Sequence, residues 1–209
     1  MNFLKNQKWR YATKKFDPQK TISNEHLEQL KEAVQLSVSS YGLQTYQVLI
    51  VQNKPLREKL RKVSWNQSQI TEASHLFIFC NETYVNPLAI DDFLKLTSQI
   101  RNIPLETLHG YGDFMKAKLA EKSIEDQFHW SKNQTYIAMA NLLAACAELK
   151  IDACPMEGFE AVAYNEILGL DSKGLNASVI VPIGYRSTDD HSQTAAKVRK
   201  PTEKLFVHI

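Results

Sequence analysis

The chain has 209 residues, 44% of them hydrophobic and 23% charged, enough to bury a substantial core without disulfides or metal. Its 25 basic and 23 acidic residues leave a formal net charge of +2, which excludes a global field directed at nucleic acid or an anionic membrane. No stretch approaches the roughly 20 apolar residues that span a bilayer, and Met1 to Lys8 lacks the apolar run of a secretory signal, so a cytoplasmic protein is expected.

In chain order, Ser23 can cap a helix whose stripe is Leu27, Leu30 and Val34. Tyr46 to Val51 is a β-branched and aromatic run with polar borders, hence a strand. Pro55 suits the first turn of a helix striped by Leu56, Leu60 and Val63. His75 to Cys80 reads as a second, buried strand. Ile90, Phe93 and Leu94 mark a helix that should stop before Pro104. Phe114 to Ser131 is amphipathic and charged, as expected of helices over an opening or edge. From Gln134 to Leu149 the chain turns apolar and alanine-rich, and the run Tyr136 to Ala147 predicts a helix buried on nearly every face, central to the core or to a subunit interface. Ala177 to Ile183 is a third strand, and Leu205 to Ile209 is expected to be a short one that finds cover on a partner's sheet edge. No repeat or linker divides the chain, so residues 1–209 read as one α+β domain, a sheet flanked by helices.

Familiar catalytic motifs are missing. Gly110-Tyr111-Gly112 lacks the third glycine of a dinucleotide loop, because Met115 stands there, and no strand precedes it. There is no phosphate loop, no nucleophile elbow and no His-Glu-x-x-His. The six histidines are scattered without ligand spacing. Cys80, Cys146 and Cys154 are odd in number and in no metal-like pattern; the first two lie in apolar runs and read as core residues of a reducing compartment. An enzyme without such a constellation leaves its chemistry to a bound cofactor.

Four clusters remain. Arg10-Tyr11-Ala12-Thr13-Lys14 precedes a turn at Asp17-Pro18. Val38-Ser39-Ser40-Tyr41-Gly42 follows the first long helix. Pro155-Met156-Glu157-Gly158 forms a tight turn after the apolar helix. Lys197-Val198-Arg199-Lys200 lies near the C-terminus. Each alone is ordinary loop chemistry, a solvated basic stretch or a turn. Together and in this order, with Asn66, Ala73-Ser74-His75 and Pro182-Ile183-Gly184, they resemble the nitroreductase family, especially its oxygen-insensitive nitroreductase and dihydropteridine reductase branch. The stretch from about Pro87 to Lys132 is least similar.

The resemblance implies bound FMN, NADH or NADPH as co-substrate, and a homodimer with two sites at its interface. It also implies a mostly antiparallel sheet, with the C-terminal strand exchanged between subunits. Arg10, Lys197 and Arg199 would hold the flavin phosphate, a role that suits guanidinium and ammonium donors. Tyr11 and Ala12 would line the same segment. Lys14, Asn66 and Gln69 would face the pyrimidine edge, and Pro155, Met156, Glu157 and Gly158 would present backbone N–H groups near N5 and O4. Lys14 and Glu157 would thus support the reacting end of the ring. Val38, Ser39, Ser40, Gly42 and Gln134 would come from the other subunit. Tyr41, Phe114 and Phe128 are candidates to cover the substrate, with core or dimer packing as the competing reading. Four positions depart from the family's commonest pattern: Ala12 replaces a serine, Val38 a proline, Gly42 an asparagine and Gln69 a lysine. The implied activity is two-electron reduction of nitroaromatics or quinones by a ping-pong relay. Dehalogenation, flavin fragmentation and flavin binding without turnover are the alternatives.

Overall fold

A computed structural model describes residues 2–209. The three runs read as strands form the body of one four-stranded sheet, β1 (Tyr46–Val51), β2 (His75–Glu82) and β4 (Leu175–Gly184), joined at one edge by the two-residue β3 (Asp152–Ala153) in the order β1-β2-β4-β3. All three pairings are antiparallel. Because successive strand residues face opposite sides, β2 feeds two separate cores. Leu76, Ile78 and Cys80 enter one with Leu60, Ile70, Met156 and Tyr164, while Phe77 and Phe79 enter the other with Leu30, Leu142 and Cys146. A register shift between Phe79 and Cys80 bends the pairing with β4, as an extra residue in one strand does.

Helices cover both faces, and their ends follow local chemistry. Ser23 Oγ accepts the His26 N–H at the start of α2 (Asn24–Gln35). Asn53 caps α3 (Lys54–Lys62) with Pro55 in its first turn. The one-turn α4 (Gln69–Glu72) precedes β2, and α5 (Pro87–Arg101) ends on left-handed Asn102. α6 (His109–Ala120) packs on α5 around a third cluster, Ile90, Leu94, Met115 and Leu119. α8 (Ala161–Leu168) covers the sheet face opposite α7 (Ile124–Glu148).

Three expectations need correction. The apolar helix is the second half of α7, which starts at Ile124 on a Ser123 cap; no breaker separates the charged segment from the apolar one. Nor does the chain by itself cover nearly every face of it, for Asn133, Ile137 and Ala140 form an exposed stripe, so of the two expected places the core alone does not account for it. Leu205 to Ile209 is not a strand in this chain: a helical turn, α9 (Thr202–Leu205), is followed by irregular, exposed Phe206 to Ile209. A strand needs a partner edge to satisfy its backbone, and these residues pair with none of this chain's own strands. Two short elements had no clear sequence signal, the N-terminal α1 (Asn2–Trp9) and β3.

Candidate active site

The residues singled out by the sequence fall on two regions of the molecule. The first is built at the β3–β4 end of the sheet. Thr13 N–H donates to the Ala153 carbonyl at 3.3 Å, and Ala12 bridges Ala153 in parallel. Asp190, only 1% exposed, accepts the backbone N–H of Lys14 (2.7 Å) and of Lys15 (3.2 Å) and the Tyr11 hydroxyl (2.9 Å). Burial and the bond to Asp190 push the Tyr11 phenol up to about 12. Arg186 pairs with Asp152 through Nε at 2.8 Å and lies over the rings of Trp9 and Tyr11, at 4.4 and 4.6 Å. The strip from Tyr11 to Lys14 is therefore fixed from three sides.

That fixation assembles a cationic cradle from opposite ends of the chain. The Lys197 ammonium donates to the Arg10 carbonyl. Desolvation, then repulsion from Arg199, lowers the pKa of Arg10; desolvation, then repulsion from Arg10, Arg199 and Arg186, lowers that of Lys197. Among the described residues none of these three cations is paired with a carboxylate. Like charges gathered without a counterion are a cost to the fold that an anion would relieve. A phosphate is the anion that such a set of donors suits.

Beside the cradle the chain passes through Pro155 to Gly158. Met156 exchanges backbone bonds with Ile180, at 2.8 and 3.1 Å, so the turn is riveted to β4 up to that residue. Beyond it, the N–H groups of Glu157 and Gly158 donate to no acceptor among the described residues. Gly158 does meet a ring closely, and within the chain that ring is Trp65: a Cβ on Gly158 would lie 2.8 Å from the indole. Gln67 Nε2 donates to the Gly158 carbonyl at 2.9 Å. Trp65 and Asn66 both adopt left-handed backbone, φ 52° and 54°, a conformation that costs roughly 1–3 kcal/mol for a residue other than glycine. Asn66 is exposed, whereas Gln69 is buried with its side-chain amide bonded to nothing among the described residues. Lys14 lies close enough to Cys154 for its charge to oppose the upward shift that burial gives that thiol. The Glu157 carboxylate accepts the Tyr136 hydroxyl. Both border a cleft of about 340 Å³ whose other walls include Phe128, Lys132 and Phe159.

The second region lies on the helical side. Ser40 N–H donates to Gln134 Oε1 at 2.8 Å, and Gln44 N–H donates to Ser39 Oγ at 2.9 Å. Tyr41 sits at φ 58° and Gly42 at φ 79°, in a tight turn that presents Val38 to solvent. Tyr41 meets Phe114 edge-on at 6.5 Å and Trp130 at 6.2 Å, and Phe114 stacks with Tyr111. Phe128 is elsewhere, edge-on to His129 and by the cleft at Glu157, so the three expected substrate aromatics do not form one group within the chain.

Sequence reasoning missed Trp65, Tyr136, Asp190 and Arg186. Trp65 lies directly before Asn66, and that adjacency was the one available signal; the others reveal themselves only through partners distant in the chain. Burial raises the pKa of all three cysteine thiols, to about 12 for Cys80, so thiolate chemistry is suppressed at neutral pH. Among the described residues no group of three His, Cys, Asp or Glu side chains could hold a metal ion. None of the described helices is long and apolar enough to cross a membrane.

Residues 8–185 match the nitroreductase family model. The chain is 37% identical to the Staphylococcus epidermidis protein SERP2086 over 212 aligned positions, covering 96% of this chain and 94% of that one. It is 34% identical to YfkO of Bacillus subtilis, with 91% of each covered; both relatives are named as NAD(P)H nitroreductases. The fold superimposes on the B. subtilis nitroreductase YdfN with a TM-score of 0.90 at 18% identity, covering 100% and 99% of the two chains. It matches an FMN complex of a nitroreductase-type protein from Exiguobacterium sibiricum with a TM-score of 0.85 at 17% identity, covering 100% and 98%. The chain belongs to the nitroreductase family, and it has that family's α+β fold.

Proposed function

We propose that the protein is an FMN-dependent NAD(P)H oxidoreductase that reduces nitroaromatic or quinone acceptors by two electrons. One observation carries the reading: Arg10, Lys197 and Arg199 converge without a counter-charge beside a turn whose two N–H groups are free. The three cations would hold the FMN phosphate. The N–H groups of Glu157 and Gly158 would meet the acceptor atoms at the edge of a flavin ring, and Lys14, Asn66 and Gln69 would face its pyrimidine side. When bound, the flavin supplies hydride transfer to and from its N5 atom. The chain's residues then have positional and electrostatic work. Lys14 offers positive charge where a reduced ring gathers negative charge, and Tyr136 holds the Glu157 carboxylate so that the turn keeps one shape.

The second region fits this scheme as the part supplied by another subunit. Ser39, Ser40, Gly42 and Gln134 rest on a different hydrophobic cluster from the cradle, and the exposed stripe of α7 and the apolar tail at Leu205 to Ile209 offer surface for a second copy. Such a dimer would close the site, with Tyr41 and Phe114 toward the acceptor.

The test is direct. Purified protein should be yellow and release one FMN per chain, and double-reciprocal plots with NADH or NADPH and menadione should be parallel, since donor and acceptor use one cavity in turn. Failure to take up added FMN rules out the assignment; intersecting lines rule out the single-cavity relay. Deleting residues 205–209 should lower dimer content and flavin retention together, as read by light scattering and absorbance.

A further inference from the structure

Arg186 stands beside the cationic cradle without joining it, because its charge is committed to the buried Asp152. The Arg186 backbone N–H donates to Asp152 Oδ2 at 2.8 Å and Nε donates to Oδ1 at 2.8 Å. Nη2 lies 2.6 Å from the same Oδ1, an ion pair off the axis of a hydrogen bond. The guanidinium carbon is 4.4 Å from the centre of the Trp9 ring and 4.6 Å from that of Tyr11, the two neighbours of Arg10. The Lys150 ammonium also lies over Trp9, at 4.9 Å, and binds Asn6 of α1. Trp9 and Tyr11 belong to none of the three hydrophobic clusters, so cation–π and polar contacts, rather than core packing, place them. With both flanking side chains drawn to one guanidinium, Arg10 is left the opposite way out. There its Nε donates to Gln7 Oε1 at 2.5 Å, and it comes near enough to Arg199 and Lys197 for the charges to repel. A long side chain gathered with like charges would swing away unless its backbone were held.

We propose that Arg186 is a positioning residue for the flavin phosphate: clamped by Asp152, it holds Trp9 and Tyr11 and thereby turns Arg10 toward Lys197 and Arg199. The inference rests on the reading of the cradle as the phosphate site. Arg186 itself makes no contact with the cofactor and acts through Arg10. A planar guanidinium can meet a carboxylate with its edge and aromatic rings with its faces, which the point charge of a lysine cannot. The effect is selective for the phosphate. Asp190 holds the Lys14 N–H separately, so the ring end of the site does not depend on the brace.

The experiment compares FMN with riboflavin, which lacks only the phosphate, by fluorescence titration of the full chain stripped of flavin. Arg186→Lys keeps a cation beside Asp152 and loses the planar face. The ratio of the riboflavin Kd to the FMN Kd should fall about tenfold, with the riboflavin Kd unchanged. Trp9→Leu, which leaves Arg186 in place, should lower the ratio likewise, and Trp9→Phe should restore most of it. In an Arg10→Ala background, Arg186→Lys should have no further effect, as expected of a residue that acts through another. An unchanged ratio in Arg186→Lys and Trp9→Leu, or an equal loss for both flavins, overturns the proposal and leaves the flavoenzyme reading intact. So does an Arg186→Lys effect that persists undiminished without Arg10. Wild-type protein that binds riboflavin as tightly as FMN, or takes up neither, overturns the phosphate reading of the cradle and the proposal with it.

Discussion

The cradle region and the aromatic region are held by different means. Arg10 to Lys14, Pro155 to Met156 and the start of the C-terminal arm are tied to the sheet by backbone bonds and by two buried carboxylates, Asp152 and Asp190. Tyr41, Phe114 and Trp130 rest on a small satellite cluster between α5, α6 and α7. A phosphate and a ring edge need fixed donors, since a displaced charge loses most of its value. An acceptor pocket tolerates movement, and lid-like parts come from the less stable end of a fold. Under the proposed function, the difference implies that cofactor binding and acceptor choice would vary independently.

The largest expected effect breaks the comparison if it fails. Leu60, fully buried, anchors the first core, and Leu60→Ala should lower global stability by about 3 kcal/mol in urea unfolding. Met115→Ala, equally buried in the satellite cluster, should instead speed amide exchange across residues 87–120 while β2 and β4 stay protected. Equal acceleration in the two strands would show that the regions unfold as one.

Next comes the cradle itself. Arg199→Ala should weaken FMN by about 2 kcal/mol, the scale of a lost charge-assisted bond, or roughly thirtyfold in Kd, measured by fluorescence titration. Menadione KM at saturating FMN should scarcely move; a parallel rise would tie acceptor binding to the phosphate end.

Asp190 sharpens the point. Burial raises its pKa, but bonds from Lys14, Ser192, Lys15 and Tyr11 outweigh that and leave it below the usual carboxylate value. Its contribution is thus fully present above the unfolded value of about 3.9 and is lost as pH falls through the lower folded value. Asp190→Asn should remove about 1.5 kcal/mol of stability at neutral pH, and its acid-side unfolding profile should be flatter than that of wild type. An identical profile would show that the Lys14 strip is held by other means.

The smallest effect is electronic. Gln69 brings a buried, uncharged amide where the family resemblance implies a lysine, so Gln69→Lys should raise the two-electron midpoint of bound flavin by about 20 mV, read by dye-coupled redox titration. A fall in potential, or no change, would take Gln69 away from the pyrimidine edge.

Much of this molecule could be read from the chain alone. The alternating or continuous apolar runs at Tyr46 to Val51, His75 to Cys80 and Ala177 to Ile183 determined the three long strands, and capping residues such as Ser23, together with Pro55, determined where helices begin, because both signals are local. The linked clusters from Arg10 to Arg199 carried the family resemblance for the same reason. Tertiary structure decided the rest. β3 is two residues long and exists only because Asp152 and Ala153 pair with Ile183 and Gly184; no propensity marks so short a strand. The α7 stripe at Ile137 and Ala140 looks like core in sequence and is bare in the chain, since apolar residues record that cover is needed but not where it comes from. Asp190 and Arg186 are ordinary charges until the fold brings Lys14, Tyr11 and Asp152 to them. The sequence by itself determined which residues could bind and which elements would carry them. Only the packing of the sheet ends decided that Arg10 and Lys197, 187 positions apart, share one cradle, because contact between distant residues is a property of the folded surface and not of any local stretch.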